Sequence, residues 1–354
     1  MRLLHTSDWH LGRSLHRADL RDAQQAFVDH LVGVAREERV DAVLVAGDVY
    51  DRAVPGLDAV QLCEEALTRL RETGAEVVVI SGNHDSARRL GFGSRLLERT
   101  GVHLRTQPSL EPVVIGDVPV HAVPFLDPPA LAAHLEELAD VAPPHAVVMA
   151  HGWVAGGAAC DSERDITVGG IGAVAPRLFA GFAYSALGHL HGAQVLDEGL
   201  RYSGSPLAYS FSEATHRKGS WLVETGANGL AQVDFLAAPV PRRLSTLRGE
   251  LASLLSDPAL AGQERDWLSV TLTDAARPED AMARLATRFP HVLVLAHDPA
   301  GVERSDETYA ARVAGRTDLE IGCAFVEHVR GTVAEEAELA LLQEAFEAVR
   351  PGTG

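Results

Sequence analysis

Short apolar runs alternate with longer stretches whose apolar residues recur every three or four positions. Arg2–Thr6 reads as a short strand that runs into Ser7-Asp8. Residues 19–38 read as a helix, with Phe27, Leu31, Val34 and Ala35 on one face. Ala42–Ala46 is a continuous apolar run, the mark of a strand covered on both sides, and it ends in Gly47-Asp48. Leu57–Glu72 has helical spacing at Val60, Leu62, Ala66, Leu67 and Leu70, and Glu76–Ile80 is a strand that ends in Ser81-Gly82-Asn83.

The rhythm continues with strands at 146–150, ending at His151, and at 183–187, ending at Gly188-His189. Short strands at 194–196, 200–202, 220–223 and 231–235 predict an antiparallel finish. Alternating strands and helices of this kind predict a layered α/β core. Ala237-Ala238-Pro239-Val240-Pro241 reads as a linker. Beyond it, a strand at 267–272, a helix at 278–288 and a strand at 291–296 form a small β-α-β unit, followed by helices at 319–329 and 334–349. The expected domains are residues 1–236, 242–315 and 316–350.

The chain has 354 residues, 46% hydrophobic and 23% charged, which suits a folded globular protein of about two domains. Met1-Arg2 leads straight into the first strand with no basic and then apolar leader, so no secretory signal is expected. Cys63, Cys160 and Cys323 are an odd number, far apart, with no Cys or His at zinc spacing, so ordinary thiols and a cytoplasmic setting are expected. No apolar run approaches the length of a membrane span. The net charge of -18 argues against a free-standing nucleic-acid binder. It leaves room for an enzyme whose metal ions supply local positive charge and whose partner supplies the grip on DNA.

The polar residues that follow strands form a set: Asp8-Trp9-His10, Gly47-Asp48-Val49-Tyr50-Asp51, Gly82-Asn83-His84-Asp85, His151, and Gly188-His189-Leu190-His191. Carboxylate, imidazole and amide oxygen together suit Mn²⁺, Fe²⁺ or Zn²⁺. A carboxylate such as Asp48 has two oxygens and can bridge two cations. Two cations about 3.5–4 Å apart hold a phosphate and lower the pKa of a water between them. The spacings Asp-x-His and His-x-His put both side chains on one side of an extended segment, and Gly47, Gly82, Gly152 and Gly188 let the backbone turn beside them. Each piece alone has a bland reading: Gly47-Asp48 as a turn, Asp85 as the N-cap of a helix over 86–98, His151 as a hydrogen-bonded core residue. Their conjunction at five strand ends is what points to a metal site.

That ordered set resembles the calcineurin-like metallophosphoesterase superfamily, with its pattern D-x-H, G-D-x-x-D, G-N-H-[DE], H and G-H-x-H. The resemblance implies a four-layer α/β/β/α core, a small α+β capping domain and a C-terminal helix pair. It implies one metal on Asp8, His10, Asp48 and His191, and a second on Asp48, Asn83, His151 and His189. It places His84 beside the phosphate as the catalytic residue, with Asp85 orienting it. The closer likeness is to DNA nuclease subunits, through residues 4–12 and 47–51, Asp161-Ser162-Glu163-Arg164 to Val168-Gly169-Gly170, Gly188 to Gly192, and Tyr202 to Pro206. It implies Mn²⁺-dependent double-strand exonuclease and single-strand or hairpin endonuclease activity in DNA repair, recombination and replication. It also implies a homodimer and a partner ATPase with a long coiled coil.

The chain has no G-x-x-x-x-G-K-[ST] of its own. Phe325, Val326, Val329, Leu339, Leu341, Leu342 and Phe346 on the final helices either dock on that coiled coil or fold against this chain's own core. Asp51 is read as holding Arg52 or a histidine behind the metals, Arg88 and Arg89 as phosphate contacts or idle surface charges, and Trp9 as packing or as shaping the pocket between two ligands. The loop from Gly152 to Gly172 is long enough to be functional, facing DNA or a second copy. Two other functions fit the same motifs. Gly47 to Arg52 is similar to the phosphatase pattern G-D-x-V-D-R-G, which gives a metal-dependent phosphomonoesterase; a metal-stabilised scaffold without turnover is the third.

Overall fold

Strands Ala42–Ala46 and Val147–His151 are buried at every position, so each needs cover on both faces. The computed structural model, which describes residues 1–226, 228–299, 313, 315–330 and 332–349, supplies that cover in two compact units, Met1–Ser245 and Thr246–Gly354.

The first unit contains two six-stranded sheets. One has the order Gly229–Ala237, Gly219–Gly226, Arg2–Thr6, Ala42–Ala46, Glu76–Ile80, Val102–Arg105. Its last four strands are parallel, with Leu4 opposite Val43 and Val43 opposite Val77; Gly219–Gly226 joins antiparallel. The other has the order Gln194–Asp197, Leu200–Tyr202, Tyr184–Gly188, Val147–His151, Val118–Val123, Val113–Ile115.

Side chains alternate across these strands and so define four layers. Leu4, Val43, Val45, Val77 and Val79 pack outward against Phe27, Leu31, Leu62 and Leu70 of helices Arg21–Glu37 and Leu57–Glu72. Leu3, Leu44, Val78 and Ile80 point the other way, into a core shared with Val120, Val147, Met149 and Tyr184 of the second sheet. Val148, Ala150 and Leu187 face out again, onto Leu131, Leu135 and Leu138 of helix Pro128–Val141. The protein is thus an α/β protein with the α/β/β/α layering expected.

Several elements differ from expectation. The four late strands are not one antiparallel finish. They divide between the two sheets, and Leu200–Tyr202 runs parallel to Tyr184–Gly188. Residues 86–98 are not one helix: Ala87–Leu90 and Ser94–Leu97 are separated by Gly91 and by Gly93 at φ 75°. Helix Pro128–Val141, for which the apolar pattern gave no expectation, opens with a Pro-Pro pair. In place it occupies the first turn, where no N–H is needed, and Asp127 caps it by accepting from Ala130 N at 2.9 Å.

Strands Leu244–Gly249, Trp267–Leu272 and Val292–His297 form a third sheet, the latter two parallel. Leu247, Leu251, Leu254, Leu268, Val270, Leu285 and Phe289 form its core. Helix Ala281–Ala286 is shorter than the 278–288 expected, because Asp280 sits in the left-handed region just before it. Helices Asp318–Arg330 and Glu336–Val349 pack on each other. Phe325, Val329, Leu339 and Leu341 remain exposed. Among the described residues, no helix is long and apolar enough to cross a membrane.

Candidate metal centre

Five strands deliver their polar ends to one place. Asp8 and His10 follow Arg2–Thr6, Asp48 follows Ala42–Ala46, and Asn83 and His84 follow Glu76–Ile80, all in the first sheet. His151 ends Val147–His151, and His189 and His191 follow Tyr184–Gly188, in the second. The C-terminal ends of parallel strands are where open α/β sheets place their ligands. Backbone bonds lock the loops together: Asp8 N donates to Gly47 O, and His10 N to Asp48 O, each at 3.0 Å.

Asp48 is central. Its Oδ2 lies 3.6 Å from His10 Nε2 and 3.6 Å from His151 Nε2, and its Oδ1 accepts from the backbone N of His84 at 2.8 Å. Asn83 Oδ1 lies 2.9 Å from His151 Nε2 and 3.1 Å from His189 Nδ1. His10 Nε2 and His191 Nε2 face each other at 3.1 Å. Asp8 accepts from the backbone N of His189 at 3.0 and 3.1 Å. Coordinating atoms of Asp8, His10 and His191 lie within 4.8 Å of one another, as do those of Asp8, Asp48 and His151. The seven residues named from sequence as metal ligands are therefore brought together.

These donors fit divalent cations on their own chemistry. His151 Nδ1 sits 2.9 Å from Ala46 O, so it carries the proton, and the bare Nε2 is aimed at two more lone-pair atoms, Asn83 Oδ1 and Asp48 Oδ2. Such a meeting of acceptors suits a cation. Asp8 and Asp48 are both buried, and among the described residues neither has a Lys or Arg ion-pair partner. Burial, and then the nearby Asp48 charge, holds the Asp8 carboxyl well above its usual range. Burial likewise pushes Asp48 up to about 6. Burial drives His151 down to about 3 and holds His10 and His189 well below the ordinary imidazole value, which keeps them neutral as ligation requires.

The backbone is strained at the same residues. Asp8, His10, Asp48 and His189 have φ of 53°, 45°, 50° and 107°, a region that costs non-glycine residues energy and clusters at functional sites. Two glycines serve close approach rather than a turn. A Cβ on Gly82 would collide with Asp48 Oδ1, and one on Gly188 with the Ala46 carbonyl.

Asp85 neither caps a helix nor orients His84. Its carboxylate accepts from the backbone N of Gly82, Val49 and Tyr50 at 2.9, 3.1 and 2.9 Å, pinning the Asp48 loop to the Asn83 loop. His84 Nδ1 instead lies 2.8 Å from the Asp51 carbonyl oxygen. The Asp51 carboxylate faces both His10 Nδ1 at 3.7 Å and Arg52 Nε at 3.5 Å, so it stands behind a candidate ligand. Trp9 is a core residue, donating to Thr6 Oγ1 at 3.0 Å. Arg89 donates to the Ala53 carbonyl at 3.1 Å.

The resemblance singled out Ser162 and Glu163 without a role, and the sequence pattern gave no hint of Glu213 and Lys218 behind His191. Ser162 Oγ lies 2.7 Å from His191 Nδ1 and 2.6 Å from Glu213 Oε1, and Glu163 accepts from the backbone N of His191 at 2.7 Å. Burial alone would raise Glu213, but the hydrogen bond with His191 and the Lys218 charge outweigh it and hold the carboxyl far below its usual range. Cys160, read as an ordinary thiol with no histidine at zinc spacing, lies in a group with His191 and Glu213, because the 152–172 loop folds back onto the site. No local spacing announces these contacts, which join residues 22 to 51 positions apart.

Residues 1–161 match the calcineurin-like phosphoesterase family, and residues 240–330 match a C-terminal domain model, SbcD_C, described as the type 5 capsule protein repressor C-terminal domain. Over residues 1–161 the chain is therefore similar to the calcineurin-like phosphoesterases, a superfamily of hydrolases. The two matches, in this order along one chain, are consistent with SbcD. Solved structures with some likeness include GAP50, the anchor in the inner membrane complex of Plasmodium, at 12% identity over 86% of this chain and 99% of that one, TM-score 0.41. A dimetal phosphatase from Danio rerio matches at 15% identity over 68% of this chain and 99% of its own, TM-score 0.37. A novel archaeal phosphodiesterase matches at 13% over 67% of this chain and 100% of its own, TM-score 0.35. Likenesses of this size say nothing about activity.

Proposed function

We propose that this chain is the Mn²⁺-dependent nuclease subunit of an SbcCD-type complex, hydrolysing phosphodiester bonds in DNA. The observation that carries the reading is the position of Asp48, whose one carboxylate faces His10 and His151 from opposite sheets at 3.6 Å each. Asp8, His10, Asp48 and His191 would hold one cation, and Asp48, Asn83, His151 and His189 the other. When bound, the pair supplies Lewis-acid charge to a phosphodiester and to the attacking water.

The chain's own residues do the rest. With Nδ1 donating to the Asp51 carbonyl, His84 presents Nε2, which lies 3.9 Å from Asp48 Oδ2, to the substrate, where it would meet a phosphoryl oxygen or the leaving oxygen. Asp85 holds the loops that carry Asp48, Asn83 and His84 in register. Residues 1–236 form the nuclease domain in this reading, 242–315 a capping domain that places DNA, and 316–350 the helices that dock on an SbcC-type coiled-coil ATPase. The exposed Phe325, Val329, Leu339 and Leu341 suit that docking. The complex works as a homodimer in the cytoplasm, with no membrane involved.

The test is a linear duplex with Mn²⁺ or Mg²⁺, with and without the ATPase. A nuclease shortens the duplex, whereas a phosphomonoesterase releases terminal phosphate only. Metal binding without turnover on either ester leaves a scaffold. His84→Ala is expected to keep both metals and lose cleavage, because the bond to Asp48 comes from the backbone N of residue 84.

A further inference from the structure

Lys218 is the only lysine of the chain, and it is buried. Its ammonium donates to the His191 carbonyl at 2.8 Å, to Ser205 Oγ at 2.9 Å, and to Glu213 Oε2. Three acceptors converging on one point suit a compact ammonium; the flat fork of an arginine, used everywhere else in this chain for a cationic side chain, does not match them. Glu213 is equally buried, and its other oxygen accepts from Ser162 Oγ at 2.6 Å and from the backbone N of Tyr209 at 3.1 Å. Since the Ser162 hydroxyl gives its proton to that carboxylate, its lone pair is left to accept from His191 Nδ1 at 2.7 Å.

We infer that Lys218, Glu213 and Ser162 form a positioning relay for His191, fixing its tautomer and ring so that the Nε2 lone pair points at the cation shared with His10. The carboxylate acts through the hydroxyl, and the lysine anchors both that carboxylate and the backbone of the ligand it orients. A buried ion pair is weak evidence for stability as such. Here it sits where a ligand histidine must be held at its N, its O and its Nδ1. Outer partners of this kind are worth roughly 10- to 100-fold in metal affinity.

The inference rests on the reading of the site as a dinuclear centre, and the test separates the two. Mn²⁺ binding to the full chain is measured by calorimetry and by electron paramagnetic resonance, for wild type, Ser162→Ala and the double variant Glu213→Gln with Lys218→Met. Circular dichroism without metal identifies the variants that fold, and Ser162→Ala, on a surface loop, decides alone if the double variant does not. Wild type is expected to take two Mn²⁺ with an exchange-coupled spectrum. The variants are expected to lose roughly 10- to 100-fold at one site only and to show uncoupled Mn²⁺ where wild type is coupled. Wild-type affinity and coupling in the variants overturn the relay, and so does equal weakening of both sites. Wild type that binds no Mn²⁺ overturns the metal-centre reading, and the relay with it.

Discussion

His151 and Asn83 meet at 2.9 Å through atoms that both offer lone pairs, Nε2 and Oδ1, while the other ring nitrogen of His151 is committed to the Ala46 carbonyl. Two acceptors at hydrogen-bond distance repel each other, and a cation bound beside them relieves that repulsion. The consequence is a fold whose stability depends on divalent cation. At a hundred times the dissociation constant, one site adds about 2.7 kcal/mol, a rise of roughly 5–10 °C in Tm for a domain of this size. Thermal melts in EDTA and in Mn²⁺ read it directly, and identical melts would show that these acceptors hold no cation.

Asp48→Asn should separate stability from activity. The metal-free protein confines two carboxylates, Asp8 and Asp48, whose mutual repulsion helps raise Asp8. Removing one charge is expected to leave the melt in EDTA unchanged or higher, to abolish the Mn²⁺-induced rise, and to cut hydrolysis by more than roughly 100-fold, since even outer partners of a metal are worth 10–100-fold. A variant that still gains Tm with Mn²⁺ as wild type does would show that Asp48 is not shared.

Gly188→Ala tests the closeness of the two sheets. The added methyl meets the carbonyl oxygen of Ala46, a backbone atom of a fully buried central strand that has no rotamer to escape into. Overpacking typically costs roughly 1–3 kcal/mol, and here the upper end or more is expected. A denaturant midpoint within error of wild type would mean that the sheets separate at this point.

Acid sensitivity in EDTA should include a contribution from His5, which is buried between the Tyr184 hydroxyl at 2.9 Å and the Leu187 carbonyl at 3.1 Å. Burial lowers it to about 3 against 6.5 for the free residue. Between these values the unfolded chain takes up a proton that the native one refuses. Stability from this residue is therefore complete above about pH 6.5 and lost as pH falls toward 3, with a slope near 1.4 kcal/mol per pH unit at most. Asp8 and Asp48, raised by burial, act in the opposite sense, so the comparison is with His5→Gln, whose stability should fall less steeply between pH 6.5 and 5. Parallel slopes would exclude His5.

Much of the architecture was legible along the chain because it is written in local periods. Arg2–Thr6, Ala42–Ala46, Leu57–Glu72, Glu76–Ile80 and Trp267–Leu272 fall where the apolar pattern places them. A strand or an amphipathic helix is a property of five to twenty neighbouring residues, and so is a polar residue that follows a strand. Asp8, Asp48, Asn83, His151 and His189 stood out because that signal recurs at five strand ends, and the family resemblance gave them their roles as ligands. What the chain could not state is which late strand joins which sheet, because Leu200–Tyr202 and Gly219–Gly226 carry the same alternation and go to different sheets.

Roles decided by distant partners were also beyond it. Asp85 has the spacing of a helix cap and became a clamp on three backbone N–H groups, since the Asp48 loop 36 residues away offered donors that a helix start did not. Lys218 and Glu213 look like ordinary surface charges in sequence. Only folding shows that they lie behind His191, because burial and hydrogen-bond geometry belong to the packed sheets and not to any one segment of chain.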